Sequence, residues 1–225
     1  MGKIIVIEGT DSSGKETQTK LIYERIKKKY EKTIKISFPN YNSPACEPVK
    51  MYLAGEFGID ASKVNPYPIS TMYAIDRYAS FKKDWEKIYN DDYIIVTDRY
   101  VTSNMIHQAS KFEKVSDKDE YLKWLEELEY DKMKIPRPDK VIFLKMPIEK
   151  AKILMAERKN KITGESKKDI HEINQEYLER SYKNACEISK KYLWEEIECV
   201  ENDEIKSIEK INDEIYQKIK NLLDK

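Results

Sequence analysis

The chain has 225 residues, and its 41 Lys and Arg residues equal its 41 Asp and Glu residues, so the formal net charge is zero. This balance gives no sign of a nucleic-acid or membrane-surface partner. No apolar run reaches the roughly 20 residues of a membrane span, and the opening run KIIVIEG lacks the features of a signal peptide. We therefore expect one domain over residues 1–225, with a buried core and no membrane association.

The cysteines bear on the cellular compartment. Cys46, Cys186 and Cys199 are odd in number and lack the spacing of metal ligands. We expect free thiols, which indicates a reducing, cytoplasmic location.

Five short runs of apolar and β-branched residues predict strands that are buried on both faces. In chain order they are KIIVIE (3–8), TIKISF (33–38), YIIVTD (93–98), KVIFLKM (140–146) and the weaker EIECV (196–200). Helical patterns separate them, including long helices over 66–90 and 169–193. Strands that alternate with helices predict an α/β fold, in which a five-stranded parallel sheet is flanked by helices on both faces.

The carboxyl-terminal tail and three polar segments complete this prediction. A helical stripe in the tail is expected to pack in the core and consists of Ile205, Ile208, Ile211, Ile215, Ile219 and Leu222. Segments 39–48, 111–120 and 158–168 lack apolar periodicity and are predicted to be irregular. The basic run RKNKITGESKK predicts a short mobile lid at about 157–168, although such charge runs are also typical of solvated loops.

The stretch IEGTDSSGKETQT contains the spacing G-x-x-x-x-G-K between Gly9 and Lys15, after a strand and before a helix. In this context backbone N–H groups curl around phosphate oxygens, and the lysine reaches the β- and γ-phosphates. The predicted nucleotide-phosphate site consists of Gly9, Thr10, Asp11, Ser12, Ser13, Gly14, Lys15, Glu16 and Thr17. The alternative is a glycine-containing turn with an exposed lysine.

Glu16 stands where such loops carry the Ser or Thr that contacts Mg²⁺. Thr17 can supply a hydroxyl to the phosphates. Asp11 and Asp98 can hold the metal through water, because Mg²⁺ keeps several waters and needs few protein ligands. A glutamate in the first helical turn also suits the helix dipole if it points away from the phosphates. We therefore predict an altered but intact site with Mg²⁺ as cofactor.

The segment TDRYVTSN (97–104) follows the third predicted strand. Ligands of open α/β sheets gather at the carboxyl ends of the strands. There Asp98 can orient a metal-bound water or an acceptor phosphate, and the planar fork of Arg99 suits phosphate oxygens. A structural Asp–Arg pair is the alternative.

Tyr73 and Arg77 are four residues apart and share one face of a predicted helix. An aromatic ring and a guanidinium on one face suit a flat base, since one stacks and the other hydrogen-bonds an edge. The alternative places Tyr73 in the core.

These motifs, together with FPNYNSP, GEFG, YAIDRYAS, PRPD and ERK…DIHE…YLERSY, resemble the thymidylate kinases over nearly the whole chain. The resemblance implies a P-loop kinase fold with a lid. It implies an enzyme that binds ATP and dTMP and converts them, with Mg²⁺, to ADP and dTDP. It also implies a homodimer.

The resemblance assigns roles on the acceptor side. The residues implied to contact dTMP are Asp11, Phe38, Tyr41, Tyr73, Arg77, Arg99, Asn104 and His107. Within this set, Arg99 would bind the phosphate, Tyr73 would stack on thymine and Arg77 would hydrogen-bond its carbonyl edge. Phe38 would line the pocket for base and sugar, and Asn104 would touch the base.

One departure from the family pattern concerns the transferred phosphoryl group. Some relatives carry an arginine in the loop, where Ser12 and Ser13 stand here. The positive charge must then come from the lid, as in the bacterial arrangement, and Arg158 with Lys159 and Lys161 is the expected source. Two acidic positions after the lid match the family, Asp169 and Glu172. The predicted catalytic groups are Lys15, Asp98, Arg99 and Arg158.

Two further departures lie near the acceptor. Asn40 and Tyr41 follow the FP dipeptide, where many relatives carry an arginine. We therefore expect weaker binding of the acceptor phosphate, although Tyr41 matches a tyrosine of some bacterial members. His107 stands where an aromatic residue usually abuts the 2′ carbon and excludes ribonucleotides. The histidine leaves the selectivity for deoxyribose and for the base open.

Three alternatives to a dTMP kinase stay open at the level of sequence. They are a related nucleotide kinase with a different base specificity, a nucleotide-dependent switch, and a degenerate ATP-binding paralogue. A switch needs no acceptor pocket, so the elements FPNY, YAIDR and DRYVTSN count against it.

Overall fold

The computed structural model of the chain describes residues 1–156 and 175–224. Its main strands are β1 Lys3–Glu8, β2 Thr33–Ser37, β3 Ile94–Asp98, β4 Lys140–Lys145 and β5 Glu195–Glu198. They form one sheet in the order β2-β3-β1-β4-β5, and every pairing is parallel. The predicted five-stranded parallel sheet is confirmed.

Helices flank this sheet. They are α1 Lys15–Lys27, α2 Glu47–Leu53, α3 Pro66–Ser80, α4 Glu86–Asn90, α5 Val101–His107, α6 Val115–Glu126, α7 Ile148–Ala156, α8 Gln175–Lys191 and α9 Ile208–Leu223. A π-helical turn, Phe81–Trp85, joins α3 to α4, so the predicted helix over 66–90 is one helical stretch. A short antiparallel hairpin of β6 Val200–Glu201 and β7 Glu204–Ile205 precedes α9.

Three of the sequence-based predictions are wrong in part. Segment 39–48 contains the 3₁₀ helix Pro44–Cys46 and the first residues of α2, which begins at Glu47. Segment 111–120 is not irregular throughout, because α6 begins at Val115. The first turn of α6 is mostly polar, and its buried residues come later, at Leu122 and Leu125, so the helical period is visible only beyond this segment. In the tail, Ile205 lies in β7 and not on the helix.

The strands bury alternate side chains on the two faces of the sheet, because successive residues of a strand point to opposite sides. In β1, Ile4 and Val6 belong to the core cluster that includes residues of α5 and α6. Ile5 and Ile7 belong to the cluster that includes residues of α1 and α9. Burial on both faces explains the continuous apolar run of β1.

Helix α9 begins at a capping residue and packs along the predicted stripe. Ser207 Oγ accepts a hydrogen bond from the Lys210 backbone N–H at 3.2 Å, which satisfies one of the free amides at the start of the helix. Ile211, Ile215 and Ile219 are buried against the sheet. The core-packing interpretation is therefore confirmed for these three residues, but it is wrong for Ile208, which begins the helix and is 49% exposed.

In the described residues no helix is long and apolar enough to cross a membrane. The predicted lid at about 157–168 lies outside those residues. The same holds for Arg158, Lys159, Lys161, Asp169 and Glu172.

Ile215→Ala tests the packing of α9. The Ile215 side chain is fully buried, so we expect its truncation to lower the free energy of unfolding by about 2–5 kcal/mol. Urea denaturation measures the change. Ile153→Ala on α7 is the matched control, because Ile153 is 60% exposed, and it should change stability by no more than about 0.5 kcal/mol. Equal effects of the two substitutions would contradict this packing.

Candidate active site

The phosphate-binding loop connects β1 to α1, as the sequence predicts. Gly14 precedes α1 with a φ of 86°, in the left-handed region that glycine adopts without steric penalty. Gly9 begins the loop where a side chain has no room. A Cβ there would lie 2.4 Å from Ser13 Oγ and 3.1 Å from the Leu144 carbonyl oxygen. Both glycines are required by the shape of the loop.

Lys15 is the first residue of α1, and its side chain is buried. Its Nζ donates to the Thr10 carbonyl oxygen at 2.6 Å, within the loop. Burial, followed by repulsion from Arg99, lowers the pKa of Lys15 to about 7, although nearby carboxylates such as Asp11 oppose the shift. A polyphosphate bound to the loop would supply negative charge and favour the protonated lysine.

Arg99 follows β3 with a φ of 65°, a conformation that is uncommon outside glycine. Its Nη2 donates to Asp11 Oδ1 at 2.5 Å, and its Nη1 lies 3.0 Å from His107 Nε2. A guanidinium can only donate, so His107 Nε2 accepts and the ring proton lies on Nδ1. Burial opposes the charge of the guanidinium, but the attraction of neighbouring carboxylates, Asp11 first, leaves its pKa raised.

Glu8, the last residue of β1, is a site residue that the sequence motifs did not reveal. It is fully buried. Its Oε1 accepts hydrogen bonds from Thr102 Oγ1 at 2.7 Å, from Ser103 Oγ at 2.8 Å and from the Tyr100 backbone N–H at 3.2 Å. Burial raises the pKa of Glu8, and the charge of Arg99 opposes the rise. Glu8 thus fastens the segment after β3 to the end of β1; its place directly before the loop was the available signal.

Lys15 and Arg99 line a cavity of about 830 Å³ at the carboxyl edge of the sheet. Of the predicted site residues that the structure describes, all but Gly9 and Thr10 line it: Asp11, Ser12, Ser13, Gly14, Lys15, Glu16, Thr17, Phe38, Tyr41, Tyr73, Arg77, Asp98, Arg99, Asn104 and His107. Separate motifs therefore converge on one cavity of a size that suits a small-molecule ligand. Their individual roles toward ligands stay predictions.

One end of the cavity, on the side of β2 and β3, combines aromatic and charged side chains. The Tyr73 ring meets the Tyr52 ring edge-on, with centroids 6.4 Å apart. Arg77 is 1% exposed and forms an ion pair with Glu129, a residue that no sequence motif indicated. Asn104 lines the same region from α5.

The other end of the cavity is mostly apolar, with Lys206 as an exception, and was not predicted. It is lined by Met146, Leu154, Ile205, Ile208 and Ile211. Because the strand order places β4 and β5 on the opposite side of β1 from β2 and β3, the phosphate-binding loop lies between two differently lined ends. Open α/β sheets bind ligands at such switch points.

The two predicted metal ligands differ in their surroundings. Asp98 is buried and lines the cavity, and its Oδ1 has no hydrogen-bond partner within residues 1–156 and 175–224. Asp11 already accepts from Arg99. The described part of the chain has no group of three His, Cys, Asp or Glu residues that could hold an ion. This donor set fits Mg²⁺, which binds through one or two carboxylates, waters and substrate phosphates.

Lys15 and Arg99 place two cationic groups in one cavity, one on the loop and one beside it. The phosphate-binding loop follows β1, the central strand of the parallel sheet. This loop and the two cationic groups together define a P-loop kinase. The sequence model of the thymidylate kinase family matches residues 7–205. The chain belongs to the thymidylate kinase family.

Individual relatives agree over the full length of the chain. A thymidylate kinase of Schizosaccharomyces pombe is 26% identical over 221 residues, which cover 98% of this chain and 93% of the relative. A probable thymidylate kinase of Methanococcus aeolicus is also 26% identical and covers 100% of this chain and 98% of its own. The solved structure of the Candida albicans thymidylate kinase shares the fold, with a TM-score of 0.71 at 20% identity, and covers 98% of this chain and 92% of its own.

The lowered pKa of Lys15 predicts that ATP binding takes up a proton. The free lysine has a pKa of about 7, and bound phosphates would raise it. Affinity for ATP should therefore weaken as the pH rises between about 7.5 and 9, by up to about tenfold per pH unit. Titration calorimetry across this range measures the dissociation constant. Lys15→Arg is the control, since a guanidinium keeps its charge, and its profile should be flat. A flat profile for the wild type would contradict the shift.

Proposed function

We propose that this protein transfers the γ-phosphoryl group of ATP to dTMP, giving ADP and dTDP. The observation that carries the proposal is the position of Arg99. It lines the same cavity as Lys15, but it follows β3, the strand next to β1. A nucleotide-binding protein without an acceptor would need only the loop. Membership of the thymidylate kinase family supports dTMP as the acceptor.

The donor end would be the loop and the apolar wall beside it. Backbone N–H groups between Gly9 and Lys15 would hold the phosphates at the start of α1, and the Lys15 ammonium would neutralise the β- and γ-phosphates. The wall that includes Met146, Ile205 and Ile208 would then receive the flat base of the donor.

The acceptor end would use the charged and aromatic residues. Arg99 would bind the dTMP phosphate, with Asp11 and His107 holding its guanidinium in place. Tyr73 would stack on thymine and Phe38 would line its pocket. The two phosphates would thus meet between Lys15 and Arg99.

The chemistry requires positioning and charge neutralisation, with no covalent enzyme intermediate. Lys15 and Arg99 would neutralise the negative charge of the phosphoryl group during its transfer. Arg158 is proposed to contribute further positive charge. Asp98 would hold Mg²⁺ through water; the ion, when bound, neutralises phosphate charge. The Asp98 carboxylate would also orient the water around the phosphates.

We further propose a homodimer in the cytoplasm. The family resemblance supports the dimer, and α3 exposes apolar side chains that suit an interface, with Ile75 46% and Tyr78 41% exposed. All three cysteines are free thiols, which agrees with a reducing compartment.

The direct test measures ADP release with ATP, Mg²⁺ and each of dTMP, dUMP, dCMP, dAMP, dGMP and ribothymidine monophosphate. We expect the highest kcat/KM with dTMP. Lys15→Ala should abolish turnover while the protein stays folded, because the substitution removes the charge that neutralises the β- and γ-phosphates. Preference for another acceptor would favour a related nucleotide kinase, and no turnover would favour an inactive paralogue. Full activity of Lys15→Ala would contradict the assigned loop.

Arg99→Ala should separate the two substrates. Hydrogen bonds to charged groups contribute about 1.5–3 kcal/mol, so we expect the KM for dTMP to rise by roughly 10- to 100-fold. The KM for ATP should rise much less. Arg137→Ala is the control, because Arg137 pairs with Glu126 at 2.9 Å and its side chain is 53% exposed. If both KM values rise equally in Arg99→Ala, Arg99 has a structural role instead.

A further inference from the structure

Glu129 is an acidic residue on the buried face of a helix. It lies four residues after Leu125 and seven after Leu122, so it continues the apolar stripe of α6. At this point the helix changes to a π-helical turn, Glu127–Lys132, an irregularity that often marks functional sites. Glu129 is 0% exposed. A buried carboxylate is costly unless it is paired and hydrogen-bonded, so its partners indicate what it does.

The first partner is Arg77, which uses one edge of its guanidinium for Glu129. Nε donates to Oε2 and Nη2 donates to Oε1, each at 2.6 Å. Nη1 donates to the Tyr100 carbonyl oxygen at 3.3 Å. These contacts use three of the five N–H groups of a guanidinium. Because Arg77 also lines the cavity, the other N–H groups can donate to a ligand.

The second partner is Asn104. Its Nδ2 donates to the Ser70 carbonyl oxygen at 3.4 Å, and its side-chain amide also favours the ionised form of the Glu129 carboxyl, whose pKa it lowers. The Ser70 carbonyl is an acceptor only, so the amide nitrogen of Asn104 faces it, and the negative charge of Glu129 favours the same orientation of the amide. The amide oxygen of Asn104 is then the atom that can accept from a ligand in the cavity.

The ion pair with Arg77 keeps the Glu129 carboxylate ionised, so that it can only accept hydrogen bonds. Burial raises the pKa of the Glu129 carboxyl, but the charge of Arg77 and the amide of Asn104 oppose the rise. Both carboxylate oxygens already face N–H donors at 2.6 Å, so a proton on either oxygen would meet a donor.

From these contacts we infer that Glu129 is a positioning residue that sets which hydrogen-bonding edge of a base the cavity accepts. It presents Arg77 as a donor and Asn104 as an acceptor, and so selects a pyrimidine with N3–H beside a C4 carbonyl. The inference rests on the proposed function and adds to it the origin of base selectivity. Glu129 itself does not touch the substrate.

Thymine and uracil carry this edge, whereas cytosine carries its reverse, an unprotonated N3 beside a 4-amino group. In the cavity the cytosine edge would place donor against donor and acceptor against acceptor. A site built to hydrogen-bond one pattern rejects another strongly, because its buried polar groups are left unpaired.

Glu129→Gln tests the inference. A glutamine has nearly the same shape but can donate to the Asn104 amide oxygen, which lets that amide turn, and it no longer holds Arg77 with two acceptors. We expect the ratio of kcat/KM for dTMP to that for dCMP to fall by about tenfold or more. The KM for ATP should stay within about twofold of wild type. Glu126→Gln is the matched control, because Glu126 lies on the same helix and pairs with Arg137 on the surface, and it should keep the wild-type ratio.

Glu129→Asp covers the case in which the glutamine variant does not fold. It retains the charge that Arg77 needs, but its carboxylate is shorter by one methylene and cannot serve both partners, so the ratio should again fall. A wild-type ratio in a folded variant would overturn the inference and leave the proposed function intact.

Failure of the proposed function can be distinguished from failure of the inference about Glu129. If the proposed function is wrong, the wild-type protein does not turn over dTMP. In that case the rise in unfolding temperature with dTMP and with dCMP reports binding without turnover. A preference for dTMP that is the same in wild type and in the position 129 variants would overturn the inference by this measurement too.

Discussion

The parallel pairing of β1 with β3 is the constraint on which the active site depends. Ile7 lies opposite Asp98 in this pairing, so the phosphate-binding loop and the segment that begins at Arg99 leave the sheet side by side. Glu8 then ties the second segment to the first through the hydroxyl of Thr102. Because all strands of a parallel sheet end at one edge, polar residues that follow different strands meet there. Lys15 and Arg99 lie in the same part of the cavity for this reason.

The two cations have opposite electrostatic surroundings. Arg99 faces the carboxylate of Asp11, and its pKa is raised. Lys15 is shifted the other way, chiefly by burial, to a pKa of about 7. The arginine is therefore charged and oriented before a ligand arrives, whereas the lysine is only partly protonated near neutral pH and a bound phosphate would favour its charged form. Oriented charges need no reorganisation during reaction, which is how preorganised sites lower a barrier.

The ion pair of Arg77 with Glu129 has another use. A buried ion pair adds little to stability, because desolvation of both charges offsets their attraction. This pair instead fixes the direction of the Arg77 hydrogen-bond donors on the β2 and β3 side of the cavity, and the charge of Glu129 favours the orientation of Asn104 in which the amide oxygen can accept. An uncharged core at this place would fold as well but would not distinguish one base edge from another.

The sequence by itself determined the parallel sheet, the loop between Gly9 and Lys15, and the shared helix face of Tyr73 and Arg77, because these are local patterns. Apolar runs, glycine spacing and helical period need no distant partner to be recognised. Only the tertiary structure decided which side chains meet across the chain. Glu129 lies 52 residues from Arg77 within an acidic stretch that has the composition of a solvated surface. Its burial and its partners depend on how the extension of α6 packs against α3, and no local pattern specifies a contact between residues so far apart.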